Sequence, residues 1–139
     1  MRVAIIIGSE RDMLVAKRCT EVLDKLSIPY EVKVLSAHRT PELLDRYLKE
    51  TDADVFIGMA GLAAHLPGYI ASRTTKPVIG VPLNVKLEGI DAFLSMVQMP
   101  RGVPVGTVGV DNGENAAWLA ARILALKDPE LQKRLAESR

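Results

Sequence analysis

The run Val3-Ala4-Ile5-Ile6-Ile7-Gly8-Ser9 decides the fold of this chain. Its apolar residues are mostly β-branched and stop at a glycine and a serine. A strand apolar on both faces must be covered on both faces, which is the condition of a parallel sheet flanked by helices. Working outward, Val15, Cys19, Val22, Leu23 and Leu26 recur at helical spacing and form one amphipathic stripe, with Pro29 just beyond it. Residues 30–35 make a second strand, broken by Ser36-Ala37-His38. Thr40-Pro41-Glu42 then starts a helix, with a hydroxyl cap and proline at the first helical position. Leu43, Leu44, Tyr47 and Leu48 supply its buried face.

The alternation continues to the end of the chain. Strands are expected over 54–59 and 78–81, with a fifth inside 103–110. Helices are expected over 66–72, 87–97 and 112–126, with Pro67 tolerated in a first turn. Asp128-Pro129-Glu130 opens a polar C-terminal helix. No linker, repeat or low-complexity stretch interrupts this order, so residues 1–139 read as a single domain. The class is α/β: a flavodoxin-like three-layer sandwich, central parallel sheet of order 2-1-3-4-5, plus a C-terminal helix. The small-residue face Ala116, Ala117, Ala120 and Ala121, and the sparse apolar residues Leu131 and Leu135, leave two readings. Either they pack on another subunit or they face solvent.

Composition narrows the function classes. Of 139 residues 48% are hydrophobic and only 4% aromatic, which suits buried strands and excludes a disordered chain. The 18 Lys and Arg residues balance 17 acidic ones, so nothing points to nucleic acid or to an anionic membrane. The single Cys19 excludes an internal disulfide, fits a reducing compartment, and reads as a small core hydrophobe. The N-terminal apolar run is too short for a signal peptide or a membrane span, so a cytoplasmic protein is expected. Two histidines and one cysteine do not make a zinc site, and no metal or cofactor is expected. P-loop, dinucleotide-binding and nucleophile-elbow motifs are absent.

In an open parallel sheet, ligands bind beyond the carboxyl ends of the strands, where the strand order reverses. With order 2-1-3-4-5 the loops after strands 1, 2 and 3 converge there. They read Gly8-Ser9-Glu10-Arg11-Asp12, Ser36-Ala37-His38-Arg39-Thr40-Pro41, and Gly58-Met59-Ala60-Gly61 leading to Ala64-His65-Leu66-Pro67-Gly68. Both histidines therefore face one crevice. Ser9 either holds a phosphate through its hydroxyl or only caps a helix. Asp12 either accepts two ribose hydroxyls or sits in a first turn, favoured by the helix dipole. Arg39 has a planar fork suited to a phosphate dianion. His38 is the informative residue: free imidazole has a pKa of about 6.5, so it gives and takes protons near neutrality. His65 either joins that chemistry or orders its loop.

At these loops the chain resembles the class I form of N5-carboxyaminoimidazole ribonucleotide mutase. The resemblance runs almost end to end. It rests on Gly8-Ser9-x-x-Asp12, Ser36-Ala37-His38-Arg39-Thr40-Pro41 and Ala60-Gly61-x-Ala63-Ala64-His65-Leu66-Pro67-Gly68. It continues through Gly80-Val81-Pro82 and Val97-Gln98-Met99-Pro100-Arg101-Gly102-Val103-Pro104-Val105. It implies a homo-octamer with sites at subunit boundaries and a ribonucleotide substrate. Phosphate would be held by Ser9, Ser36 and Arg39, with Ala37 in the same loop, and ribose by Asp12. His38 would be the general acid/base, and the Gly61–Leu66 loop, with Ala64 and His65, would cradle the imidazole and its carboxylate. The Gln98-Met99-Pro100 stretch would approach the site from a neighbouring subunit. Two positions depart from many relatives: Arg11, where a small hydroxyl residue is common, and Leu62, where a second glycine occurs.

The reaction so implied is decarboxylation of the substrate and recarboxylation at ring carbon 4, with carbon dioxide held between the steps and no cofactor. Two alternatives stay open at this point. One is the related class II carboxylase, which uses carbon dioxide directly. The other is a non-catalytic flavodoxin-like module.

Overall fold

The computed structural model describes residues 2–139; Met1, which opens the N-terminal run, lies outside the described residues. Five parallel strands form one sheet in the order β2-β1-β3-β4-β5. They are β1 (Val3–Ile7), β2 (Tyr30–Val34), β3 (Val55–Ala60), β4 (Val78–Pro82) and β5 (Gly106–Thr107). The helices are α1 (Met13–Lys25), α2 (Pro41–Glu50), α3 (Leu66–Arg73), α4 (Ile90–Val97), α5 (Gly113–Ala125) and α6 (Pro129–Glu137). The expected class, strand order and C-terminal helix are those observed.

Burial explains the order. Every residue of β1 and of β4, and the first five of β3, is buried, whereas β2 at the edge is only partly so. β1 lies between its partners in register, Val3 beside Tyr30 on one side and Val55 on the other. Its side chains alternate between two cores. Val3, Ile5 and Ile7 join α1, α5 and α6, while Ala4 and Ile6 join Leu44 of α2 and Leu66 and Ile70 of α3. Full burial of one such aliphatic side chain stabilises the fold by about 1.5–3 kcal/mol.

Four expectations change. The alanine face of α5 is not an outer surface: Ala116, Ala117, Ala120 and Ala121 are all 0% exposed within this chain. Small side chains let α5 close on α1, and at Gly113 an added Cβ would lie 2.5 Å from the Val15 carbonyl oxygen. Leu131 of α6 is likewise fully buried, and Arg134 Nε donates to the Leu26 carbonyl at 2.9 Å. Leu43 is 49% exposed rather than part of the buried face of α2, which rests on Leu44. β5 shrinks to two paired residues, because Pro104 has no N–H to give a ladder and the strand lies at the sheet edge. Finally, Thr40 does not cap α2 through its hydroxyl. That hydroxyl accepts from the Ser36 amide at 2.9 Å and donates to the Ser36 carbonyl, closing the 36–40 loop on itself. Among the described residues no helix is long and apolar enough to cross a membrane.

Candidate active site

At the carboxyl ends of β1, β3 and β4 the sheet opens into a cavity of about 530 Å³. The residues singled out from the sequence line it together: Ser9, Asp12, Ser36, Ala37, His38, Arg39, Gly61, Ala64, His65 and Leu66. They arrive on separate elements. Ser9 and Asp12 flank the short helical turn after β1, Ser36 to Arg39 follow β2, and Gly61 to Leu66 join β3 to α3. The strand order brings these loops side by side, since β1 is hydrogen-bonded to both β2 and β3.

One wall is built of hydroxyls and a guanidinium. Ser36 Oγ accepts from the amides of His38 (3.2 Å) and Arg39 (3.0 Å), so its own proton points away from the backbone it caps. Ser9 Oγ accepts from the Arg11 amide at 3.3 Å and keeps its proton in the same way. Arg39 spends one N–H on the Gly8 carbonyl at 3.2 Å, which ties the second loop to the first. The other donors of its fork are left for an anion. Asp12 sits half-buried behind them. Burial pushes its carboxyl above the ordinary value of 3.8, against the opposing pull of Arg11, the Ser9 backbone and Arg39. An ionised carboxylate there only accepts hydrogen bonds, so paired hydroxyl donors would relieve its lost hydration.

The same cavity holds the two histidines. His38 Nε2 and His65 Nδ1 stand 2.6 Å apart, and the rings meet edge to face with centroids 4.7 Å apart. At that separation one hydrogen lies between the two nitrogens, with one ring donating and the other accepting. Two charged rings, each with a hydrogen on both nitrogens, cannot share the contact. The pair therefore shares a single hydrogen, donated by one ring and accepted by the other.

Around the histidines the lining is apolar: Ala37, Ala60, Ala64, Leu66 and Leu83. Ala64 and Leu66 are buried, whereas His38, His65 and Arg39 are exposed to the cavity mouth. The loop is pressed hard against Val85. A Cβ on Gly61 would come within 2.3 Å of Val85 Cγ2, so any larger residue there would have to displace Val85.

The structure adds lining residues that sequence reasoning left out, Asn84, Val85 and Asp111, and puts Arg11 and Leu62 in the lining as well. Asp111 Oδ1 accepts from the Asn84 amide at 3.0 Å and fastens the loop after β4 to the start of α5. Neither residue belongs to a recognisable spacing. Only the position of each directly after an expected strand would have flagged it.

Residues 2–139 match the family model described as AIR carboxylase. The chain is 58% identical, over 99% of its length and 87% of the relative's, to a Methanocaldococcus jannaschii protein named N5-carboxyaminoimidazole ribonucleotide mutase. It is 51% identical, over 96% of its length and 77% of the relative's, to a Pyrococcus horikoshii protein of the same name. Two other methanogen relatives are longer, and the chain spans 42% of each. Among solved structures, a Treponema denticola PurE2 variant superposes with a TM-score of 0.90 at 30% identity, over 99% of this chain and 87% of that one. On a match that leaves out only the first residue, the chain belongs to the AIR carboxylase family.

Proposed function

We infer that the chain catalyses the reaction for which its relatives are named, moving the carboxylate of N5-carboxyaminoimidazole ribonucleotide from the exocyclic nitrogen to ring carbon 4, in purine biosynthesis. It does so as one catalytic domain, residues 1–139. The observation that carries the reading is the His38–His65 pair, lining one cavity together with Ser9, Ser36 and Arg39. A ribonucleotide needs both.

The hydroxyls of Ser9 and Ser36 donate to the phosphate, and Arg39 meets it with its fork. Arg11 adds a second guanidinium at the same edge. Asp12 accepts the ribose hydroxyls. The imidazole then lies in the apolar part formed by Ala37, Gly61, Ala64 and Leu66, beside the histidines.

Proton accounting sets the mechanism. His38 gives a proton to the exocyclic nitrogen as the nitrogen–carbon bond breaks; that bond's electron pair stays on nitrogen, and carbon dioxide leaves. The electron-rich ring attacks carbon dioxide through carbon 4 and forms the new carbon–carbon bond. His38 then takes the proton from carbon 4 and aromaticity returns. The donor of the first step is regenerated by the second, so no net proton is consumed. His65, one hydrogen away, orients the ring of His38 and shares its proton between steps. The site works within a homo-octamer in the cytoplasm and requires no metal or cofactor.

The names of its relatives favour this over direct carboxylation, since proteins named N5-carboxyaminoimidazole ribonucleotide mutase are 49–58% identical over nearly the whole chain. The test is to supply purified protein with N5-carboxyaminoimidazole ribonucleotide and, separately, with aminoimidazole ribonucleotide plus carbon dioxide. Product from the first at far lower substrate is expected. Product from the second alone would overturn the reading.

A further inference from the structure

Leu62 holds a conformation that leucine resists. Its φ is +57°, in the left-handed region that glycine enters freely and other residues enter at a cost. Two residues on, Ala64 is also at positive φ, +28°, and the Ala64 amide closes the intervening turn on the Gly61 carbonyl at 3.0 Å. Ala64 is buried, so packing holds it in place. Leu62 is not. Its side chain is 49% exposed, and burial within the chain does not offset its strain. Strain kept at an exposed position on a ligand cavity points to a use for the side chain there.

The place suggests the use. Leu62 lines the cavity three residues before His65; Val85 lines it too, is itself 51% exposed, and is in contact with Gly61. Both side chains are apolar and line the same cavity as His38 and His65. The reaction proposed above frees carbon dioxide in that cavity. Carbon dioxide has no charge and no hydrogen to donate, so polar groups grip it weakly; walls and closure keep it near carbon 4.

We propose that Leu62 is the closure residue that retains carbon dioxide between its release from nitrogen and its capture by carbon 4. The proposal rests on the mutase reading. It assigns the strained backbone to the task of holding an apolar side chain over the reacting end. Leu62 takes no part in proton transfer, and its loss lets carbon dioxide escape and leaves aminoimidazole ribonucleotide behind.

The experiment uses substrate carrying carbon-13 in its carboxylate, in buffer with unlabelled bicarbonate, with a protein-free control subtracted. The readouts are the label retained in the product and the aminoimidazole ribonucleotide released per product formed. The parent and Leu62→Met should keep most of the label. Leu62→Gly and Leu62→Ala should lose several-fold more of it and release several-fold more aminoimidazole ribonucleotide. The thermal midpoint of Leu62→Gly should hold or rise, because glycine relieves the strain; Leu62→Ala removes the side chain at a position where little packing is lost. Label retention equal to the parent in both variants overturns the proposal, as does complete exchange in a parent that turns over. A parent that makes no product overturns the mutase reading instead.

Discussion

The core packed on one side of β1 and the crevice at its carboxyl end are built to opposite rules. Under α1, α5 and α6 the chain is dry and close-packed: Leu23, Ala117, Ala121 and Leu131 are all fully buried, and Gly113 admits α1 to backbone contact. At the carboxyl end of the same strand, His38, Arg39, His65 and Leu62 are exposed, and three of the six non-glycine residues at positive φ among the described residues, Leu62, Ala64 and Asp111, line the cavity. The first region contributes stability and performs no chemistry. The second sets polar donors, a half-buried carboxylate and positive-φ turns around an open cavity, features that cost stability. The difference teaches that substitutions in the two regions should fail in different assays.

The largest effect belongs to the crevice. His38→Asn should lower kcat by roughly 10²–10⁴-fold, the usual worth of a general acid/base, at an unchanged thermal midpoint. Steady-state kinetics with a melting curve reads both, and a variant that lost stability as well would blur the contrast. Leu23→Ala is its mirror in the dry core: it should cost about 2–5 kcal/mol in denaturant unfolding and leave turnover per folded molecule as in the parent. Third, Arg39→Ala should weaken the grip on phosphate by about 1.5–3 kcal/mol, read as a rise in KM far greater than any fall in kcat. A matching loss with the dephosphorylated nucleoside would show that Arg39 acts elsewhere.

The smallest effect sharpens the line between the regions. Burial raises the carboxyl of Asp12, so in the free protein its protonated form is the stabilising one. That contribution is complete below the ordinary value of 3.8 and is lost as pH rises through the folded value. Asp12→Asn should therefore match or slightly exceed the parent in stability at neutral pH, with the difference vanishing at acid pH. Its affinity for the ribonucleotide should nonetheless fall. Urea unfolding across pH, set beside ligand titration, separates the two; a variant destabilised at neutral pH would make Asp12 structural.

Much of this was legible in the sequence because periodicity reports burial. The β-branched run of β1 and the stripe through Val15, Cys19, Val22 and Leu23 specify a covered parallel sheet, and strand order then places three polar loops together. Cys19 is core, as its place in that stripe implies, and burial pushes its thiol up to about 12. The ten candidate residues share one cavity for the same reason. What escaped depends on contacts between distant segments. The alanines of α5 look like an interface until α1 is seen packed on them. Thr40 has the composition of a cap, yet the Ser36 backbone takes its hydroxyl. Nothing in a leucine announces positive φ, and no spacing marks Asn84 and Asp111, which meet only once β4 and β5 are paired.

The separation of chemistry from stability rests most directly on turnover per folded molecule in His38→Asn and Leu23→Ala, measured in one buffer with thermal midpoints. The account predicts that the first keeps the parent's midpoint and loses turnover by at least about 100-fold. It predicts that the second loses midpoint and keeps turnover. Near-parental turnover in a folded His38→Asn protein would contradict the account.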